Sequence, residues 1–195
     1  MDATFTTAEV ALLAGVPKRT VDKAIEERVL SARVKRAARG RTSLRLPLHA
    51  VPYSVIIKKL GISLPLNAKR TILHELGKRS AAKMIDGSIT IAPALTLDLS
   101  SLVAEDLVTK AASYAETRER VIEENPDILG GTPVIRGSRL SVYALEGRVN
   151  GGDSVEDILD DYPDLKPEEL ETALLYASSH RRAGRPAARK GKVAV

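Results

Sequence analysis

Residues 6–30, TTAEVALLAGVPKRTVDKAIEERVL, decide the architecture of the N-terminal part. Thr6 followed three residues later by Glu9 is a capping box, in which hydroxyl and carboxylate each satisfy a free backbone N–H, so a helix starts near Thr7. Val10, Leu13 and Ala14 fall on one face of it. Gly15 stops it where a left-handed residue is wanted, and Pro17 suits the first turn of a second helix running to about Arg28. Val21 and Ile25 give that helix its buried stripe and leave Lys18, Arg19, Thr20 and Lys23 on or near the opposite face. In a helix-turn-helix this end of the second helix enters the major groove, where cationic and hydroxyl side chains meet base edges and phosphates. The same residues also fit a plain helical hairpin with a solvated basic face.

The next stretch favours the first reading. Residues 32–37 and 43–48 read as two strands; in the second, Leu44, Leu46 and Leu48 alternate with Ser43, Arg45 and Pro47. The turn between them centres on Gly40 and carries Arg39 and Arg41, and Lys35 sits on the first strand. A basic hairpin directly after such a helix pair is a wing, and arginines at its tip suit the narrow, strongly negative minor groove. A helix over 52–60 closes the small domain, placed at 1–62. The order helix, turn, helix, hairpin, helix resembles the winged-helix domains of MerR-type regulators and excisionases. The candidate DNA contacts are therefore Lys18, Arg19, Thr20, Lys23, Lys35, Arg39 and Arg41.

Residues 63–120 are less readable. Asn67 caps a helix through Leu76 that ends at Gly77, residues 89–99 alternate as one strand bent by Pro93, and Ser100 or Ser101 caps a helix to about Arg118. This part is expected to be a connecting layer or dimer interface. Residues 121–181 then carry the most distinctive stretch, NPDILGGTPVIRGSRLSV (125–142), with Gly130, Gly131 and Gly137 close together and Arg136 and Arg139 flanking a turn. Three helices follow, near Val142–Val149, from Ser154 to about Tyr162, and from Pro167 to about Arg181. Glu156, Asp157, Asp160, Asp161, Glu168, Glu169 and Glu171 make them acidic, which repels phosphate and predicts a protein-binding, dimerising module.

Ile128–Val142 and Ser154–Leu165 resemble the antitoxin family first catalogued as domain of unknown function 433, whose hallmark is an ILGGxPxIxGxRxxV stretch followed by SVEDILxDYPxL. Ser138 and Leu140 are mild variants of that pattern. The resemblance implies a small trihelical, homeodomain-like unit. With an added N-terminal winged helix it implies a VapB-type antitoxin that inhibits a PIN-like ribonuclease toxin and represses its own operon as a dimer on operator DNA. The alternative is a stand-alone MerR-like regulator without a toxin partner. The fold class expected overall is mainly α, with a small β-hairpin wing.

Charge is strongly segregated along the 195 residues. Residues 1–83 hold 17 Lys/Arg against 6 Asp/Glu, residues 84–180 hold 7 against 19, and residues 181–195 hold 6 against none. A polyanion-binding head, an acidic body and a basic tail follow. The tail (182–195), RAGRPAARKGKVAV, has no periodicity and is expected to be disordered alone. In the antitoxin reading, Arg182, Arg185, Arg189 and Lys190 would pair with the carboxylate cluster of the nuclease. Catalysis is not expected. His49, His74 and His180 share no ligand spacing, there is no cysteine, and no P-loop, GxGxxG or GxSxG element occurs. No metal or cofactor is expected. The lack of cysteines, of a signal-like N-terminus and of a long apolar run fits a cytoplasmic protein with no membrane contact.

Overall fold

The computed structural model describes residues 3–36 and 42–180. The chain is mainly α-helical with three small antiparallel sheets among these residues. Strand β1 (Thr4–Phe5) leads into α1 (Thr7–Leu13) and α2 (Lys18–Glu26), followed by the hairpin strands β2 (Arg33–Arg36) and β3 (Thr42–Pro47) and by α3 (Ala50–Leu60). The capping box at Thr6 and Glu9 forms as the sequence dictates, and Gly15, at φ 61°, makes the turn between the two helices. β2 pairs with β3, with Val34 opposite Leu44 and Lys35 opposite Ser43. β1 adds a third strand on the other edge of β3, placing Phe5 against Leu46. Two residues carry no periodic signal, so this strand is visible only once β3 offers it an edge.

Next come α4 (Leu66–Lys78), β4 (Ser88–Ala92), β5 (Leu95–Asp98), α5 (Leu99–Leu102) and α6 (Leu107–Val121). Four local expectations change here, the first being that α4 starts at Leu66 after Pro65, so Asn67 lies inside the helix and does not cap it. The stretch read as one bent strand is a tight hairpin, with Ile89 opposite Leu97 and Thr90 opposite Thr96 across the turn at Pro93. Pro93 lacks an N–H, and so marks a reversal rather than a bend. The helix expected from Ser100 to Arg118 is two, separated at Val103–Asp106, and Asp98 caps the first by accepting from the Ser100 amide. Gly77 does not end α4, which runs on to Lys78. It makes room for the His49 ring, which a Cβ at this position would approach to 3.3 Å.

One buried cluster runs from Phe5 through Val21, Leu46, Tyr53, Ile72, Leu76, Ile89 and Leu99 to Ala115. Residues 63–115 therefore build the same core as the first two helices. A second cluster contains Ile122, Val142, Leu145, Ile158, Leu170 and Tyr176. It is enclosed by β6 (Ile122–Glu123), β7 (Val134–Ile135), α7 (Val142–Gly151), α8 (Val155–Asp161) and α9 (Pro167–Ser179). Ser141 and Ser154 cap α7 and α8, the latter with a full Ser154–Asp157 capping box. Helix α9 packs on α7 and α6, and its last turn reaches α1.

Candidate nucleic-acid interface

On α2, Lys18, Arg19 and Lys23 are exposed and Thr20 is half-buried, while Val21 and Ala24 face the core. Lys18 pairs with Asp22 at 2.8 Å and Lys23 with Glu27 at 4.0 Å, each one turn along the helix. Such exposed pairs contribute little to stability, so a phosphate can take either lysine at small cost. Arg19 has no ion-pair partner among the described residues. Lys35 is exposed on β2. Arg39 and Arg41 lie outside the described residues, as do Arg182, Arg185, Arg189 and Lys190.

Tertiary folding adds cations that the sequence reading did not include. A surface groove of about 450 Å³ is lined by Arg19, Thr20 and Lys23 of α2 together with Lys58 of α3 and Lys69 of α4. Lys69 bonds Glu27 at 2.6 Å, which ties α4 to the end of α2. The Lys58-Lys59 pair is plain in the sequence, but nothing local says that the end of α3 lies beside α2.

The position of α1 and α2 is fixed by an unexpected centre. Glu9 is fully buried. Its Oε2 accepts the Thr6 amide at 2.6 Å, completing the capping box, and its Oε1 accepts from Arg118 Nη1 at 2.7 Å and the Tyr114 hydroxyl at 2.8 Å. Arg118 also donates to the Thr4 carbonyl at 2.9 Å, and Arg45 of β3 approaches the same carboxylate at 3.4 Å. Burial by itself raises a carboxyl pKa; here the Arg118 guanidinium and the Thr6 amide overcome it and hold Glu9 below its ordinary value. Burial, with the Glu9 charge, pushes the Tyr114 hydroxyl far up, so it stays a donor. The capping box is legible at residues 6–9, but its second partner lies 109 residues away in sequence and has no local signature.

In the C-terminal part, Gly130 and Gly131 take φ 63° and 80° in succession, which side chains resist, and Gly137 makes the turn between Arg136 and Arg139 at φ 76°. Arg136 is spent on structure, with Nε donating to the Arg120 carbonyl at 2.8 Å. Arg120 in turn bridges to Glu169 at 3.0 Å and Glu168 at 3.4 Å. Glu156, Asp157, Asp160 and Glu171 are exposed, giving this half an acidic surface. Arg148 joins Asp153 and Asp161 at 2.5 and 2.7 Å, and the Tyr176 hydroxyl donates to Glu124.

Residues 122–177 match DUF433, a family model described as a protein of unknown function. The DUF433 segment thus coincides with the second buried cluster and its three helices. A protein of Sinorhizobium fredii (strain NBRC 101917 / NGR234) named uncharacterized protein y4eO is 38% identical over 91 residues, which is 47% of this chain and 40% of that protein. The match therefore spans less than half of that relative's length. The crystal structure of Rv2018 from Mycobacterium tuberculosis aligns over 89% of this chain and 98% of its own, at 17% identity and a TM-score of 0.38. Among the described residues no three His, Asp or Glu side chains are grouped to hold a metal ion, and no helix is long and apolar enough to cross a membrane.

Proposed function

We propose that this chain is a cytoplasmic antitoxin and autorepressor. It binds operator DNA through the N-terminal winged helix-turn-helix and inhibits a PIN-like ribonuclease, with no catalysis of its own. The observation that carries the DNA half is the cationic face gathered by α2, α3 and α4, where Arg19, Thr20, Lys23, Lys58 and Lys69 converge on one groove beside the exposed Lys18. A surface of this kind attracts the phosphate backbone, while the first turn of α2 is free to reach base edges. The antitoxin half is supported by the likeness of Ile128–Val142 and Ser154–Leu165 to antitoxin sequences, and by an acidic DUF433 surface that is suited to protein rather than to phosphate. A dimer on a palindromic operator, its half-sites a whole number of helical turns apart, completes the reading.

Co-expression of the tagged chain with its neighbouring gene, followed by a ribonuclease assay, tests the antitoxin half. The expected result is a small co-purifying protein whose nuclease activity appears only after this chain is removed. If nothing co-purifies and the neighbour is not toxic, the antitoxin half fails and a stand-alone regulator remains. Arg19→Ala tests the division of labour, and is expected to weaken operator binding about tenfold or more while inhibition persists. Joint loss of both activities would refute that division.

A further inference from the structure

A second pocket, of about 590 Å³, lies where the base of the β2–β3 hairpin meets the ends of α4 and α6. The hairpin and its flanks contribute Ser31, Arg33, Arg45 and His49, and the layer behind them contributes Ala81 and Ala112. Among the described residues no acidic side chain lines it, and its charged groups are two arginines. A concave site of a few hundred Å³ with a small number of convergent polar groups has the dimensions of a small-molecule site.

Those polar groups are unspent. The Arg33 side chain is exposed and has no ion-pair or hydrogen-bond partner among the described residues. Neither ring nitrogen of His49 is hydrogen-bonded among them, and the half-buried ring fits only because Gly77 has no Cβ to crowd it. Arg45 is the decisive residue. Its Nε is buried without a hydrogen-bond partner, and a buried donor left unmade is costly. Its Nη1 reaches Glu9 at only 3.4 Å, and Arg118 already holds that carboxylate at 2.7 Å. Two guanidiniums thus share one buried carboxylate, which leaves positive charge on Arg45 uncompensated at the pocket wall.

We propose that this pocket binds a small organic anion with two or more negative charges, a phosphate ester or a polycarboxylate, held by Arg33, Arg45 and His49. Guanidinium groups suit both chemistries, because their planar fork matches paired anionic oxygens. Size separates this ligand from the other candidates. The Arg45 side chain is only 19% exposed, so a duplex backbone passing over the surface does not reach it. A single halide would leave most of the volume empty. The bound anion compensates Arg45 and joins the hairpin to α6, and it does so whether or not the α2 face binds DNA.

The test is isothermal titration calorimetry of the full chain with sodium pyrophosphate and, separately, with trisodium citrate. About 150 mM NaCl is present throughout, so that loose attraction between exposed charges is screened. At least one probe is expected to saturate a single site per chain with a Kd below about 1 mM. Pyrophosphate alone would assign phosphate chemistry to the site, and citrate alone carboxylate chemistry. Arg33→Gln is expected to weaken the binding about tenfold or more. Ala81→Leu keeps every charge but fills the pocket, and is expected to weaken it by at least as much. Arg33 and Ala81 are both exposed, so both variants are expected to fold. Arg19→Gln, away from this pocket, is expected to leave the titration unchanged. No saturable binding of either probe overturns the proposal. So does a loss on Arg33→Gln with Ala81→Leu inert, because the anion would then only screen a surface cation. If both variants weaken binding of a duplex of about 24 bp and leave the two probes unaffected, the cations serve a nucleic-acid backbone and the proposal also falls.

Discussion

Arg118 and Arg120 stand two residues apart on α6, and each serves a different half of the molecule. Arg118, 8% exposed, points into the N-terminal half and closes on Glu9, which is fully buried. Arg120, 50% exposed, reaches to Glu168 and Glu169 at the start of α9 in the DUF433 half. Both are arginine–carboxylate pairs, yet their surroundings give them different physics. In the buried pair neither ion can be hydrated if the other is lost, so the pair joins Thr4, Glu9, Tyr114 and Arg118 into one unit. In the outer cluster water replaces Arg120 or Glu168, Glu169 is also held by the Lys166 amide, and the half it decorates is held by Val142, Leu145, Ile158 and Leu170 instead. Buried charge here ties α1 to α6; exposed charge only shapes a surface.

The comparison breaks most visibly at Glu9. Glu9→Gln is expected to cost about 3–5 kcal/mol by stranding the Arg118 guanidinium in the core. Chemical denaturation followed by circular dichroism measures it, and a loss below about 1 kcal/mol would mean that the pair is solvated after all. Acidification should produce the next effect. Burial lowers the His180 pKa from its ordinary 6.5, against the attraction of Glu9 and with the repulsion of Arg45 and Arg118. The unfolded chain therefore takes up this proton first, and stability falls as pH drops below about 6.5, levelling off once the folded imidazole is also protonated. Glu9 has the opposite charge type but the same consequence. Its lowered pKa contributes stability that is complete above its ordinary 4.5 and is lost as pH falls further. Burial lowers the His49 pKa as well, with the same sign, so melting temperature between pH 7.5 and 4 should fall in two steps. His180→Asn should shrink the upper one, and the His49→Asn/His180→Asn double variant should remove it; an upper step of unchanged size in the double variant would contradict the assignment.

Smaller changes sharpen the other half. Ser154→Ala removes the hydroxyl that accepts the Asp157 amide at 3.1 Å, and should cost about 1 kcal/mol without altering DNA affinity. Arg120→Ala should cost the least, about 0.2–1 kcal/mol, and less still in high salt. A loss comparable to that of Glu9→Gln would erase the contrast between the two arginines.

Much of the chain's local order is written in neighbouring residues. The Thr6–Glu9 box, the Gly15 turn, the β2–β3 hairpin, the Gly130–Gly131 reversal and the Ser154 cap follow from conformational preferences and hydrogen bonds within a few residues, and all appear where the sequence puts them. The mainly α composition with a small hairpin and the exposure of Lys18, Arg19 and Lys23 on α2 were legible for the same reason. The β4–β5 reversal and the break between α5 and α6 were not, because Pro93 and Val103–Asp106 are also compatible with a bent strand and a longer helix.

What remained for the tertiary structure was every relation between distant segments. Only packing carries residues 63–115 into the core of the first two helices, brings Lys58 and Lys69 to the α2 groove, sinks a capping carboxylate against an arginine 109 residues away, and sets the end of α9 beside Lys18. Such contacts depend on which apolar faces meet. Period and composition say that a face exists, but they do not say what covers it.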